Sequence, residues 1–253
     1  MNKDQMIELL TTDVRAWNKW REENPEAVID LSGANLKGAN LRDANLRDAH
    51  LEHADLYNAN LECADLIRAY IRDAHLRRAN LSNADLRYAD LRYADLFLAD
   101  LKGANLYRAN LQHANLYRAN LEGANLRDVN LAYANLSGAN LSNANLGYAY
   151  LSSANLYKAN LYSADLYSAN LMEANLISAY FPNANLTKAE FYSANLEGAY
   201  LSGANLEGTN FQGAHLIDAY LECTNLEDAQ LENANLIDEN LKGDMVKKDK
   251  QNE

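Results

Sequence analysis

Ala104-Asn105-Leu106-Tyr107-Arg108, followed at once by Ala109-Asn110-Leu111-Gln112-His113, is the unit whose reading decides the fold. From Leu31 to Leu241 every fifth residue is Leu, except at Ile71, Phe181, Phe191 and Phe211, and no insertion or deletion breaks the count. Two residues before each of these sits Ala, except at Ile29, Val129, Thr209, Thr224 and Glu239. Asn or Asp usually lies between, so the repeat is Ala-(Asn/Asp)-Leu followed by two variable residues, x1 and x2. An α-helix turns about 100° per residue, so a step of five turns about 140° net and sprays the leucines around the cylinder. A straight strand alternates its faces, so an odd step sends successive leucines to opposite sides. Only a chain that bends once per repeat returns every Leu to a common interior.

Ala and Leu, two apart, both point inward on a short extended piece. The x residues make the bend, and x2 is often a turn former, as at Gly33, Gly38, Asp43, Asp48, Gly103 and Gly123. Successive coils then stack as parallel β-ladders about 4.8 Å apart. A longer period appears in the substitutions: Tyr180, Tyr200 and Tyr220 fill the Asn/Asp slot, and Phe191 and Phe211 fill the Leu slot, each at twenty-residue intervals. Odd residues that align in columns predict four repeats per coil and a square cross-section. Parallel crossovers are overwhelmingly right-handed, which sets the expected hand. The expected fold is an all-β solenoid, a right-handed quadrilateral parallel β-helix of about ten coils with a Leu/Ala core.

The Ala-(Asn/Asp)-Leu-x1-x2 run over residues 31–241 resembles the pentapeptide-repeat protein family. That resemblance implies the same quadrilateral β-helix. It implies little about activity, because most members have no assigned biochemical function and those that act do so as shaped surfaces. Some members that act on DNA gyrase are negatively charged rods resembling duplex DNA.

The ends read differently from the middle. Met6, Leu9, Leu10, Val14, Trp17 and Trp20 recur at spacings of three and four, which predicts an amphipathic helix ending before Asn24-Pro25. Residues 1–25 are therefore expected to cap the first coil, with Leu10, Val14, Trp17 and Trp20 against the open core near Leu31 and Leu36. The Trp17-Asn18-Lys19-Trp20-Arg21 segment running into Leu31-Ser32-Gly33 also resembles the N-terminal caps of cyanobacterial family members. The β-helix is expected over 26–243. Glu239 in an inward slot should end the regular coil, and the charged stretch 244–253 is expected to be disordered.

Composition narrows the rest. No run of 18 apolar residues occurs, so no membrane span is expected. The segment Met1-Asn2-Lys3-Asp4-Gln5 lacks the layout of a signal peptide, and a cytoplasmic location is expected. Cys63 and Cys223 are 160 residues apart, eight coils along one edge, or about 38 Å at ~4.8 Å per coil. That is too far for a disulfide. His53 and His113 share an edge three coils apart, about 14 Å at the same spacing, too far for one metal ion. Asp85, Asp90, Asp95 and Asp100 fill all four Asn/Asp slots of one coil. They are read as turn caps paired with Arg87, Arg92 and Arg72, not as a cation ring.

A packed Ala/Leu interior leaves no cleft for a ligand or for tuning a carboxylate, so neither a catalytic residue nor a cofactor nor a metal is expected. Charge is uneven. Residues 31–130 carry 13 basic and 13 acidic side chains, whereas 190–240 hold ten acids and no Lys or Arg. The acidic end makes Glu197, Glu207, Asp218, Glu222, Glu227, Asp228 and Glu232 the candidate interaction surface. The expected role is a non-enzymatic structural or protein-interaction rod, a monomer or weak end-to-end dimer with a protein partner, no membrane and no direct nucleic-acid contact. The alternative is a DNA mimic acting on gyrase or another DNA-binding protein. B-DNA carries one charge per ~1.7 Å of axis. A net charge of −12 over a rod of roughly 50 Å is far sparser than that. Tyr148 to Tyr167 form a tyrosine-rich region read as a coil-on-coil stack.

Overall fold

The computed structural model describes residues 1–236 and consists of two short helices followed by a quadrilateral β-helix. The turn-to-turn period is twenty residues: Asp30 bridges His50, Asn35 bridges Asp55, and the parallel series continues without a break to His215 and Asn235. Each bridge involves a single residue, the one in the Asn/Asp slot. The expected ladders are thus rows of isolated bridges, because the bend takes two of every five residues and leaves no longer extended run. Four faces carry the slots that start at Asp30, Asn35, Asn40 and Asn45. They are called A, B, C and D here, and the edge after each face, formed by its x1 and x2 residues, takes the same letter. The Ala and Leu side chains of the repeats are almost completely buried from Ile29 to Leu221, except Ala39, which is partly covered. Leu226, Leu231 and Leu236 are only partly covered.

The repeat satisfies its own donors, which explains the choice of Asn or Asp. Within Ala104–Arg108, the Ala104 N–H donates to the Leu101 carbonyl across the preceding turn (3.0 Å). Asn105 donates back to Ala84 (2.9 Å), Leu106 forward to Asn125 (2.7 Å) and Arg108 forward to Arg127 (3.1 Å). The Tyr107 N–H has no coil to reach, and the Asn105 Oδ1 accepts it at 3.3 Å. An Asx side chain is the short acceptor that fits this i to i+2 reach. All five N–H groups are thereby paired, as buried or half-buried backbone requires. Where Tyr180 takes the slot, x1 is Pro182, which has no N–H to satisfy.

Each turn places x2 at positive φ, from Gly33 through Asn233 at every fifth residue. With a hydrogen bond from Ala back to Leu across the four residues, this is the type II pattern, whose third position favours Gly or Asn. Most x2 residues are neither, including Tyr88, Leu98 and Tyr133. At Gly103 and Gly203 a Cβ would lie 2.6 Å from Asn83 Oδ1 and 2.8 Å from Asn183 Oδ1, so a larger residue there would displace those exposed Asn side chains.

The expected single N-terminal helix is two: α1, Lys3–Thr12, and α2, Val14–Glu23. Asp13 separates them. It leaves the helical conformation and its side chain accepts the Arg15 and Ala16 N–H groups, capping α2. Leu10 and Trp17 are fully buried against the first coil, and Val14 and Trp20 partly so. Polar atoms of α2 stand where a preceding coil would. Asn45 donates its N–H to Asn18 Oδ1 (2.8 Å), its carbonyl accepts Trp17 Nε1–H (2.9 Å), and the Arg47 carbonyl accepts Arg21 Nη2–H (2.8 Å). Lys3 of α1 donates to the Ser32 carbonyl in the same way. The cap thus covers apolar area and also supplies the hydrogen bonds of a missing strand edge.

The reading that regular coiling stops at Glu239, and that residues 244–253 form a charged tail, falls outside the described residues.

Candidate interaction surfaces

Among the described residues the core is one continuous cluster of apolar side chains, mostly Ala and Leu, and no cleft opens into it. Phe191 stacks on Phe211 with centroids 5.1 Å apart, filling what smaller residues would leave open. A shallow depression near the cap is lined by Val28, Asp30, Ser32, His50 and Glu52. Its Ser32 hydroxyl donates to Asp30 (2.6 Å) and its His50 Nδ1 meets Glu52 (3.2 Å). Serine and histidine are thus each engaged with a carboxylate rather than with one another, which is not the nucleophile–base arrangement of acyl transfer. Among the described residues no group of His, Cys, Asp and Glu converges as metal ligands. Cys63 and Cys223 are exposed and free.

The acidic candidates do not form one patch. Glu197 and Asp218 lie on edge B, Glu222 on edge C, Glu207, Glu227 and Asp228 on edge D, and Glu232 on edge A, as the twenty-residue period dictates. They make a collar around the C-terminal coils. Asp238 and Glu239 lie outside the described residues.

The ring of Asp85, Asp90, Asp95 and Asp100 is engaged within the fold. Each accepts the N–H of its x1 residue, at 3.2, 3.2, 3.2 and 3.1 Å. Arg87 and Arg92 close on Asp85 and Asp90 at 2.7 and 2.5 Å. Arg72 pairs with Asp73 (3.2 Å), not with an Asp of the ring, because Asp73 is its chain neighbour on the same edge. Burial pushes the Asp90 carboxyl up, but hydrogen bonds from Arg92 and the charges of Arg92 and Arg72 outweigh it and hold the group below the usual range. Asp48 is held low chiefly by the Arg68 guanidinium, 2.7 Å away.

Aromatic side chains form coil-on-coil columns. His113 is sandwiched between Tyr93 and Tyr133 at 4.9 and 5.0 Å, and Tyr200 stacks on Tyr220 at 4.6 Å. Tyr148 meets Tyr167 edge-on at 5.4 Å. Tyr150 and Tyr162, in the same region, are exposed. The stacking expectation thus describes part of that region and not all of it. The columns were foreseeable from aromatics twenty residues apart, whereas pairs such as Tyr88 and Tyr107, which meet diagonally at 5.7 Å, were not.

The family described as "Pentapeptide repeats" matches residues 29–62, 64–103, 104–143, 134–171, 169–208 and 199–238. Among solved structures, HetL from the cyanobacterium Nostoc sp. strain PCC 7120, a pentapeptide repeat protein involved in heterocyst differentiation regulation, is 36% identical. That match covers 86% of this chain and 94% of HetL with a TM-score of 0.66. Rfr23 from the cyanobacterium Cyanothece 51142 is 32% identical over 47% of this chain and 88% of its own, with a TM-score of 0.30. QnrB1, a plasmid-mediated fluoroquinolone resistance protein, is 16% identical over 83% of this chain and 87% of its own, with a TM-score of 0.37. No curated protein matches. Among the described residues no helix is long and apolar enough to cross a membrane.

Proposed function

The chain belongs to the pentapeptide-repeat family, and from that premise we propose that it is a non-enzymatic rod whose outer surface binds a protein partner. The observation that carries this reading is the filled interior: with the core continuous from Met6 to Leu221, recognition falls to the faces and edges. HetL is named for a part in regulating heterocyst differentiation, and a regulatory protein–protein contact is the corresponding role here. The partner is sought by capture on the immobilised rod, with the heat-unfolded chain as control. A protein retained by the folded rod alone, and rebinding it when purified, is the expected result. Enrichment of nothing over the unfolded control sinks the reading.

A second reading, mimicry of DNA, draws on the net charge of −12. The spread of the described acids over four edges, and the pairing of the N-terminal carboxylates with arginines, speak against a duplex-like array. A gyrase supercoiling assay separates the two: the rod proposal expects no effect at micromolar concentration.

A further inference from the structure

On three of the four edges most cations pair with carboxylates, Lys188 of edge D, which lies over Tyr167, being an exception. On edge A, Arg72 and Arg92 pair with Asp73 and Asp90. On edge C, Arg42 pairs with Glu62 and Lys102 with Glu122. On edge D, Arg68 pairs with Asp48 and Arg108 with Asp128. Edge B is different. Its x1 and x2 residues hold Lys37, Arg77, Arg78, Arg118 and Lys158, and include no carboxylate until Glu197. Only Arg77 has a carboxylate within salt-bridge range among the described residues, Asp95 of face B at 3.6 Å.

These cations occupy every second coil, at residues 37, 77 and 78, 118 and 158. Each of the four levels places a cation over an aromatic ring of the same edge. Lys37 lies 5.0 Å from the Tyr57 centroid, Arg77 4.6 Å from Phe97, Arg118 5.2 Å from Tyr117 and Lys158 4.9 Å from Tyr157. The rings keep long, mobile side chains close to the edge without cancelling their charge. Two coils span about 9.6 Å at ~4.8 Å each. A polyproline II chain advances about 9.3 Å per three-residue turn at ~3.1 Å per residue. Carboxylates at every third position of such a chain therefore fall in register with the four levels. Every third phosphate along one strand of B-DNA recurs at a comparable ~10 Å of axis (~3.4 Å each), but over three phosphates the strand also turns by roughly 100° around the duplex (about 10–10.5 pairs per turn) and so leaves a straight edge. The Phe97 ring is also enclosed, by Arg77 on one side and Tyr117 at 5.5 Å on the other, so it offers no open face on which a base could stack.

We propose that edge B, from Lys37 to Lys158, is the docking edge for an extended acidic segment of a partner protein with a carboxylate at every third residue. This rests on the reading of the chain as an interaction rod.

The test is fluorescence anisotropy of the full chain with a labelled peptide of five Glu-Pro-Pro units. A Gln-Pro-Pro peptide and a 15-nucleotide oligothymidylate serve as comparisons. The Glu peptide is expected to bind, to weaken with salt, and to bind at least tenfold more tightly than the Gln peptide. A chain carrying Lys37→Gln, Arg78→Gln, Arg118→Gln and Lys158→Gln should lose at least tenfold. An equal charge change on edges A and D (Arg72→Gln, Arg92→Gln, Arg108→Gln and Arg127→Gln) should leave affinity within about threefold, since those arginines are already paired. In the unsubstituted chain, peptide should slow amide exchange along edge B only. Absence of peptide binding, equal binding by the edge B variant, protection on another edge, or tighter binding of the oligothymidylate each overturns the proposal. A captured partner that binds the edge B variant unchanged defeats this docking edge and leaves the rod reading intact. Capture of no partner defeats the rod reading itself.

Discussion

The Trp17 indole N–H donates to the Asn45 carbonyl at 2.9 Å, the acceptor that a backbone N–H one coil earlier fills elsewhere, as Leu46 does for Asp65 at 2.8 Å. Trp17 is fully buried, so it combines apolar cover with the missing hydrogen bond. Trp17→Phe keeps most of the cover and orphans the carbonyl, which should cost about 1–3 kcal/mol. Trp17→Ala loses both and should cost about 3–5 kcal/mol or more. Urea unfolding measures the two. Equal midpoints for Trp17→Phe and the parent chain would show that the indole bond contributes nothing.

The two inner slots of a repeat should be sensitive to size in opposite senses, and an outer position should matter less. Leu126 is fully buried and Ala124 nearly so. Leu126→Ala opens a cavity and should cost about 2–5 kcal/mol, while Ala124→Leu overpacks the core and should cost about 1–3 kcal/mol. Tyr117 on edge B is half-buried, stacked on Phe97 and lying under Arg118. Tyr117→Ser should therefore cost about 0.5–1.5 kcal/mol, the value of an aromatic contact. Thermal melts rank the three, and an outer substitution more damaging than both inner ones contradicts this assignment of faces.

The coil was legible because Leu106 and its counterparts recur without an indel, and only a square winding aligns Tyr180, Tyr200 and Tyr220. The break at Asp13 was not, because the apolar spacing from Met6 to Trp20 runs through it. Its only signal was an N-cap residue inside a helical pattern. The cation–aromatic levels of edge B were hidden for another reason. Lys37 and Arg77 stand at x1 but Arg118 and Lys158 at x2, and their significance depends on which other arginines find carboxylates, which spacing alone does not give.

Asn195 isolates the role of the Asx acceptor, since its Oδ1 accepts the Glu197 N–H at 3.1 Å. Asn195→Ala should cost about 0.5–1.5 kcal/mol. Glu197 is exposed and sits at the second position of its turn, where Pro is favoured. Glu197→Pro should therefore be neutral or stabilise by up to about 1 kcal/mol. With no N–H left at that position, as at Pro182, adding Asn195→Ala should then cost much less than it does alone. A double-mutant cycle read by denaturant midpoints checks the coupling, and strict additivity would mean that the Asn slot serves something other than that N–H.

Acid should weaken the N-terminal half through its paired carboxylates. The Asp48 and Asp90 carboxyls are both held below the ordinary Asp value of 3.8. A group whose folded pKa is depressed contributes stability above its unfolded pKa and loses it as pH falls through the folded one. The loss should therefore begin near pH 4 and be complete only below the folded pKa of each group. Asp48→Asn and Asp90→Asn together should lower stability at pH 7 and flatten the decline between about pH 4 and pH 2. Because Arg68 is 56% and Arg92 38% exposed, solvent screening keeps the effect small, and 1 M salt should reduce it further. Urea midpoints of parent and variant across this range provide the check: parallel curves would mean that neither ion pair is linked to folding.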